Sequence, residues 1–276
     1  MDTLSAVALG ILQGITEFLP VSSSGHLVIG QHLLGWKEPN LFFDVSLHVG
    51  TFLAVALVFR RDIVLLVQGG LKWLRHPLVD NSYPRDEARR LFTLVLWGTI
   101  PTVILGFAFK DLFERLFTSV TAVGFSLLVT GTLLWLTRRK ISSWGKGPFD
   151  IRFRHAALIG LVQGLAIAPG ISRSGSTIAV ALLLGFQREW AGRFSFLLFV
   201  PAVLGAMLLE SLHVKAIPNP VGPVLWGTAA AAITGYVALR FLLATVRRGR
   251  FHLFAPYCWT LGTVCLAFMF FHHGNP

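Results

Sequence analysis

Long apolar runs separated by short polar segments dominate the chain. Six of them, Leu41 to Phe59, Leu91 to Phe109, Val120 to Leu136, Phe194 to Leu212, Val224 to Val246 and Phe254 to Phe271, fall in the range of about 17 to 25 residues that lets a helix cross a hydrocarbon core. Two further apolar segments behave differently. Leu4 to Leu19 is only 16 residues, about 24 Å of helix against a core of about 30 Å, and Pro20 interrupts it, so a half-helix suits it better than a span. Leu4 to Leu34 and His155 to Gly185 each read as a helical hairpin that enters the membrane and turns back. The polar, tryptophan-bearing stretch Arg61 to Arg90 reads as an interfacial helix and loop. Met1 to Gly10 carries Asp2 and no lysine or arginine, which is unlike a cleaved signal peptide.

Composition agrees with this pattern: 54% of the 276 residues are hydrophobic and 13% charged, against about 25% charged in soluble domains. The net charge of +11 does not indicate a nucleic-acid partner, because its cations lie in short connections between apolar runs. Three segments, Arg60 to Arg90, Arg138 to Arg154 and Arg247 to Arg250, hold sixteen of the 24 Lys and Arg residues, and Arg188 and Arg193 form a fourth. The positive-inside rule puts these four at the cytoplasmic face, with contact to anionic membrane lipids as a secondary effect. The nearly neutral connections around Lys37/Glu38, Lys110 to Arg115 and Glu210 to Lys215 then face outward, and so do both termini. Leu4 to Leu34 must begin and end outside, and His155 to Gly185 inside.

The two hairpins repeat. A shift of 150 residues aligns Gln13-Gly14 with Gln163-Gly164, Ser22 with Ser172, Ser24-Gly25 with Ser174-Gly175, and Leu33-Leu34-Gly35 with Leu183-Leu184-Gly185. Further on, Val95 to Thr99 reappears as Val224 to Thr228 at an offset of 129, so the first half carries about 21 extra residues, placed in the stretch Arg61 to Arg90. The chain is therefore expected to be one all-α polytopic membrane domain, 1–276. Its halves are 1–138, with hairpin 4–35, and 155–272, with hairpin 155–185. Each half is one re-entrant hairpin plus three spans, and an odd number of crossings makes this an inverted-topology repeat. In such folds the interrupted segments meet near the midplane and build the site.

The hairpin tips are chemically dense. The first runs from Gln13 through Glu17, Pro20, Ser22, Ser23, Ser24 and Gly25 to His26, and the second reads Pro169-Gly-Ile-Ser172-Arg173-Ser174-Gly175-Ser176-Thr177. An ionised Glu17 or Arg173 at bilayer depth is costly, so the two are expected to be paired and functional. Serine and glycine opening a helix expose backbone N–H groups, and an arginine adds a bidentate fork, which together make a phosphate cradle from Ser22, Ser172, Ser174, Gly175 and Thr177. His26 stands three residues after Ser23, a spacing that places both on one helical face, so Ser23 reads as a nucleophile activated by His26. A rival chemistry makes His26 itself the nucleophile. Glu17 either orients or protonates that imidazole or, with Gln13, holds a divalent cation. An anion cradle of this kind also suits a lipid flippase or anion transporter, the alternative to an enzyme.

Other polar residues read as structural. His48, alone on an apolar face, is a satisfied core histidine. Arg240 can snorkel to the inner end of its span. Cys258 and Cys265 have no metal-spaced partner and are packing residues. No Walker, dinucleotide or zinc-protease pattern is present in the sequence.

The motifs identify a resemblance that covers essentially the whole chain. It resembles the undecaprenyl-diphosphatase family of the bacitracin-resistance type, whose first motif is met by Gln13, Glu17, Pro20, Ser22, Ser23, Gly25 and His26 and whose second by Pro169 to Thr177. Members often carry glutamate where this chain has Gln13, which favours Glu17 as the carboxylate that matters. The resemblance implies hydrolysis of undecaprenyl diphosphate to the monophosphate, recycling the carrier lipid for peptidoglycan synthesis with bacitracin resistance as a consequence. It also implies a divalent cation, Mg2+ or Ca2+, a homodimer, residence in the bacterial cytoplasmic membrane and a site open to the periplasm.

Overall fold

The computed structural model describes residues 2–34, 41–75, 86–117, 119–138, 145–212 and 221–273. Among them are twelve α-helices and a short 3₁₀ turn, and the only β pairing is a single bridge between Lys146 and Phe186. The expected hairpin end at Gly35 and the connections at Lys37/Glu38, at Arg139 to Trp144 and at His213 to Lys215 lie outside the described residues.

Both expected hairpins form. In the first, α1 (Thr3–Phe18) opens on Asp2, whose carboxylate accepts from the Ser5 N–H at 2.8 Å. It stops because Leu19, held extended before Pro20, cannot continue the helix. After a four-residue tip, 19–22, α2 (Ser23–Leu33) runs back. The second pairs α8 (Phe153–Leu165) with α9 (Arg173–Leu183), and Ser172 caps α9 by accepting from the Gly175 N–H at 3.1 Å. These helices of 16, 11, 13 and 11 residues are each too short for a hydrocarbon core of about 30 Å.

The apolar runs become α3 (Leu41–Val58), α5 (Glu87–Ala108), α7 (Val120–Leu136), α10 (Arg188–Ser211), α11 (Gly222–Arg247) and α12 (Ala255–His273). The last is preceded by the 3₁₀ turn Phe251–Phe254. Three helices begin earlier than their apolar runs: α11 at Gly222, two residues ahead, and α5 at Glu87 and α10 at Arg188, where helical hydrogen bonding continues through a charged first turn. Four helical stretches are long and apolar enough to cross a membrane, and six when α3 with α4 (Arg60–Arg75) and α6 (Lys110–Phe117) with α7 are each taken as one bent span. The chain is thus a multi-pass membrane protein. The bends are 87° and 102°. The first turns α4 aside, with Val64, Val67 and Leu71 exposed along one face and its other face docked on α5 by Gly69 against Ala88. Lys72 Nζ adds an ion pair to Asp86 at 2.8 Å.

α10 is the central element, with every residue from Phe194 to Val200 buried. Phe196 packs between Phe18 of α1, tilted at 58°, and Phe59 at the α3–α4 corner, stacked on it, with centroids 5.8 and 5.6 Å away. A helix apolar all round belongs in such a place. Large side chains such as Phe107, Leu208 and Trp226 remain exposed on the outer helices, as lipid contact requires. The half-helices approach their neighbours backbone to backbone. A Cβ on Gly10 would strike the Gly227 carbonyl of α11, and one on Gly160 the Gly98 carbonyl of α5. These contacts fix the depth at which each tip stops.

Candidate active site

The two tips touch. Gly170, at φ +87, donates its N–H to Ser22 Oγ at 3.1 Å, Ser174 Oγ donates to the Phe18 carbonyl at 2.8 Å, and Gly175 packs against Pro20 so tightly that a Cβ would lie 2.9 Å from the proline ring. Ser22 itself sits at φ +67, a left-handed conformation that a non-glycine residue holds only when its surroundings enforce it. The Gly170 bond from one side and the Cys258 thiol, 3.0 Å from the Pro20 carbonyl, on the other supply that enforcement.

Where the tips meet, Glu17 is the hub. Its carboxylate forms an ion pair with Arg173 and accepts from Ser23 Oγ at 2.7 Å and from Gln13 Nε2 at 3.0 Å. His48 Nε2 stands 4.0 Å from the same carboxylate. Because a carbonyl can only accept, His48 Nδ1, 2.8 Å from the Asp44 carbonyl, carries a hydrogen, which leaves Nε2 facing Glu17. The Arg173 guanidinium also lies 3.6 Å from the centroid of Phe199 on α10, so the cation is held between a carboxylate and an aromatic face. The expected pairing of two buried charges is met, since either one alone at this depth would be costly.

These groups line a cavity of about 340 Å³. Its polar lining comes from both tips, with Glu17, Ser22, Ser23, Ser172 and Arg173, and from His48, Thr102, Gln163 and Glu210 around them, while Ile167, Ile171, Val203, Ala206 and Met207 supply its apolar lining. Of the residues singled out in the sequence, Glu17, Ser22, Ser23, Ser24, His48, Ser172 and Arg173 line the cavity. Gln13 is fully buried behind Glu17, with its Oε1 lacking any hydrogen-bond partner. Ser174 and Gly175 bind the tips to each other, and Thr177 Oγ1 donates to the Arg173 carbonyl one turn back at 2.8 Å. None of these three borders the cavity.

His26 departs from the expected geometry. The i, i+3 spacing predicts one helical face for Ser23 and His26, but Ser23 is the first residue of α2 and turns to Glu17 instead. His26 Nδ1 lies 2.8 Å from the Ser22 carbonyl and its Nε2 2.6 Å from the Tyr257 hydroxyl of α12. The carbonyl fixes the hydrogen on Nδ1, so the basic nitrogen is engaged by the tyrosine, outside the cavity lining. His48 is the converse case, expected in the core and found at the site. Its signal was legible: Asp44, His48 and Thr51, spaced i, i+4 and i+7, put a polar stripe on a helix whose one other polar side chain is Ser46. No local signal announces Phe199 or Tyr257.

The chain's similarities bear on this constellation. The model of the bacitracin resistance protein BacA family matches residues 6–264. An undecaprenyl-diphosphatase of Desulfosudis oleivorans is 49% identical over 274 residues, covering 96% of this chain and 98% of that protein. Undecaprenyl-diphosphatases of Desulforapulum autotrophicum and Desulfatibacillum aliphaticivorans are 46% and 44% identical, again covering 96% of this chain and 98% of theirs. With a family match over nearly its whole length and relatives of this closeness, the chain belongs to the bacitracin resistance protein BacA family.

Proposed function

We propose that this protein removes the terminal phosphate of undecaprenyl diphosphate, returning the monophosphate carrier to peptidoglycan synthesis and thereby conferring bacitracin resistance. The observation that carries the reading is the hydrogen bond from Ser23 Oγ to Glu17 beside Arg173, in a cavity whose lining divides between polar residues of the two tips and apolar residues such as Val203, Ala206 and Met207. An amphiphile with a diphosphate head and a prenyl tail fits that division. Ser23 Oγ attacks the terminal phosphorus, its proton passes to Glu17, and the bond from phosphorus to the bridging oxygen breaks as the lipid monophosphate leaves. Water then hydrolyses the phosphoserine. Arg173 has five N–H donors, enough to keep Glu17 while gripping phosphate oxygens with help from Ser22 and Ser172. Ser174, Gly175 and Thr177 support the cradle from behind, and His26 fixes the Ser22 carbonyl at the turn. His48 shares the proton load of Glu17.

A divalent cation, Mg2+ or Ca2+, belongs to the reading. Glu17, on the cavity lining, would be the anionic ligand of such an ion, which would neutralise charge on the diphosphate; Gln13 presents Nε2 to Glu17, and its unpartnered Oε1 would join the shell only with the amide turned over. Among the described residues no three His, Cys, Asp or Glu side chains cluster, so substrate and water oxygens have to complete its shell.

The architecture we propose is the inverted repeat, 1–138 and 155–272. Its support is paired packing: α1 lies on α11 through Gly10 and Gly227, and α8 on α5 through Gly160 and Gly98. The first members of these pairs are related by the hairpin offset of 150 and the second by the later offset of 129. Both termini and the cavity face the periplasm across the bacterial inner membrane, two copies associate as a homodimer, and no nucleic acid takes part. The enzymatic core of the reading is tested with detergent-purified protein and undecaprenyl diphosphate. Glu17→Gln and Ser23→Ala should each lower phosphate release by about 100-fold or more, and trapped phosphoenzyme should be acid-stable and alkali-labile. Lipid binding without phosphate release by the unaltered protein, with divalent cation supplied, would favour a carrier.

A further inference from the structure

A second concavity, of about 320 Å³, lies at the other end of the helical layer. α10 lends Phe199 to Glu210 to the serine cavity and Arg188 to Arg193 to this one. At 1.5 Å per residue, Arg188 lies roughly 17 Å along the axis from Phe199 and roughly 33 Å from Glu210. The two cavities share no lining residue.

Four arginines from three helices converge here: Arg61 at the head of α4, Arg188 and Arg193 at the head of α10, and Arg247 at the end of α11. The acidic groups facing them are Asp62 and Glu189 in the lining and Glu87 beside Arg193, so four cations stand against three carboxylates. Asp62 is committed to Arg193, whose guanidinium also lies 4.2 Å from the Trp190 centroid and 3.7 Å from Glu87. Arg188 turns toward the end of α11, with Nη1 3.5 Å from the Arg247 carbonyl and its guanidinium filling the space left by Gly249 at φ +70. Glu189 is then the remaining carboxylate among Arg61, Arg188 and Arg247. The rest of the wall is Val58, Phe59 and Leu243.

Topology alone requires basic residues near the ends of spans; it does not require them to line one cavity with an apolar floor. Guanidinium groups match phosphate oxygens in charge and in donor geometry, and the apolar floor accommodates a chain attached to the phosphate. We propose that this cavity is a second, non-catalytic site that binds a phosphate group, with Arg61 and Arg247 as its principal ligands.

Two sources of that phosphate can be told apart with the full-length protein. In one arm, protein from nanodiscs of equal phosphatidylglycerol and phosphatidylcholine is examined by native mass spectrometry. In the other, thermal unfolding in detergent is followed with inorganic phosphate against chloride at matched ionic strength. Arg61→Gln/Arg247→Gln should keep phosphatase activity and lose binding about tenfold, as expected for a lost charge-assisted contact. The Lys/Lys double variant should regain part of it. Arginine-dependent retention of phosphatidylglycerol assigns the cavity to a lipid headgroup, and an arginine-dependent shift with inorganic phosphate alone assigns it to the free ion. Equal retention and equal unfolding in the unaltered protein and the Gln/Gln variant would overturn the proposal. Should that variant lose activity, the same comparison is made with Arg247→Gln alone, and an unchanged result there is equally decisive.

Discussion

Glu17 gathers three donors on two oxygens, and this fixes which side chain can take the proton of Ser23. The imidazole of His26, hydrogen-bonded through both nitrogens to Ser22 and Tyr257, is a brace for the turn in the conformation seen here. The distinction is measurable. His26→Ala should lose most phosphate release because the Ser22 to Ser24 turn loosens. His26→Asn, whose amide can still donate to the Ser22 carbonyl, should recover about tenfold of the loss, the scale of one retained hydrogen bond. Equal loss in both variants would return the general-base role to His26. The Glu17–Arg173 pair was legible in the sequence because a charge at bilayer depth demands an opposite partner, and the chain offers few. The true partner of His26 was not, because Tyr257 lies 231 residues away and a hydroxyl among apolar residues on α12 carries no local pattern. His48 was misjudged by treating it singly instead of with Asp44 and Thr51.

The elements repeat one device: a half-helix halted at depth by glycine contacts with a full-length neighbour. At Gly160 the approach to Gly98 leaves no room for even a methyl group without displacing backbone. Gly160→Ala should therefore destabilise the protein by about 2 to 3 kcal/mol, read as a lowered midpoint of thermal unfolding in detergent. Gly205→Ala, at a helical position with nothing within 4 Å, should be neutral or stabilising by up to about 1 kcal/mol. A midpoint for Gly160→Ala equal to that of Gly205→Ala would show that the backbone contact does not set stability. The helices themselves were legible because spans and half-helices differ in length and Pro20 marks a stop. Their first turns were not, since Glu87 and Arg188 look like loop residues until hydrogen bonding carries the helix through them. The 102° corner between α6 and α7 was equally silent in the sequence.

At the scale of the whole molecule, the asymmetry of the basic connections predicts one orientation. With cysteine placed at Thr3 or at Arg248 in a background lacking Cys258 and Cys265, an impermeant maleimide should label the Thr3 position in intact spheroplasts and the Arg248 position only after lysis. The reverse pattern would invert the topology. The recurrence of the hairpin sequence was legible at glycines and serines, the residue types that close packing and tip contacts call for. The unequal chemistry of the two hairpins was legible only residue by residue: Glu17 has Ile167 at the matching place, and Arg173 has Ser23. The serine cavity has a volume of about 340 Å³, room for a diphosphate and the first isoprene units only. A prenyl tail longer than those units is left to the surrounding bilayer, so phosphate release at equal concentration in the membrane should depend little on chain length. Partitioning into the membrane, more than recognition by the protein, then decides which prenyl diphosphates it meets.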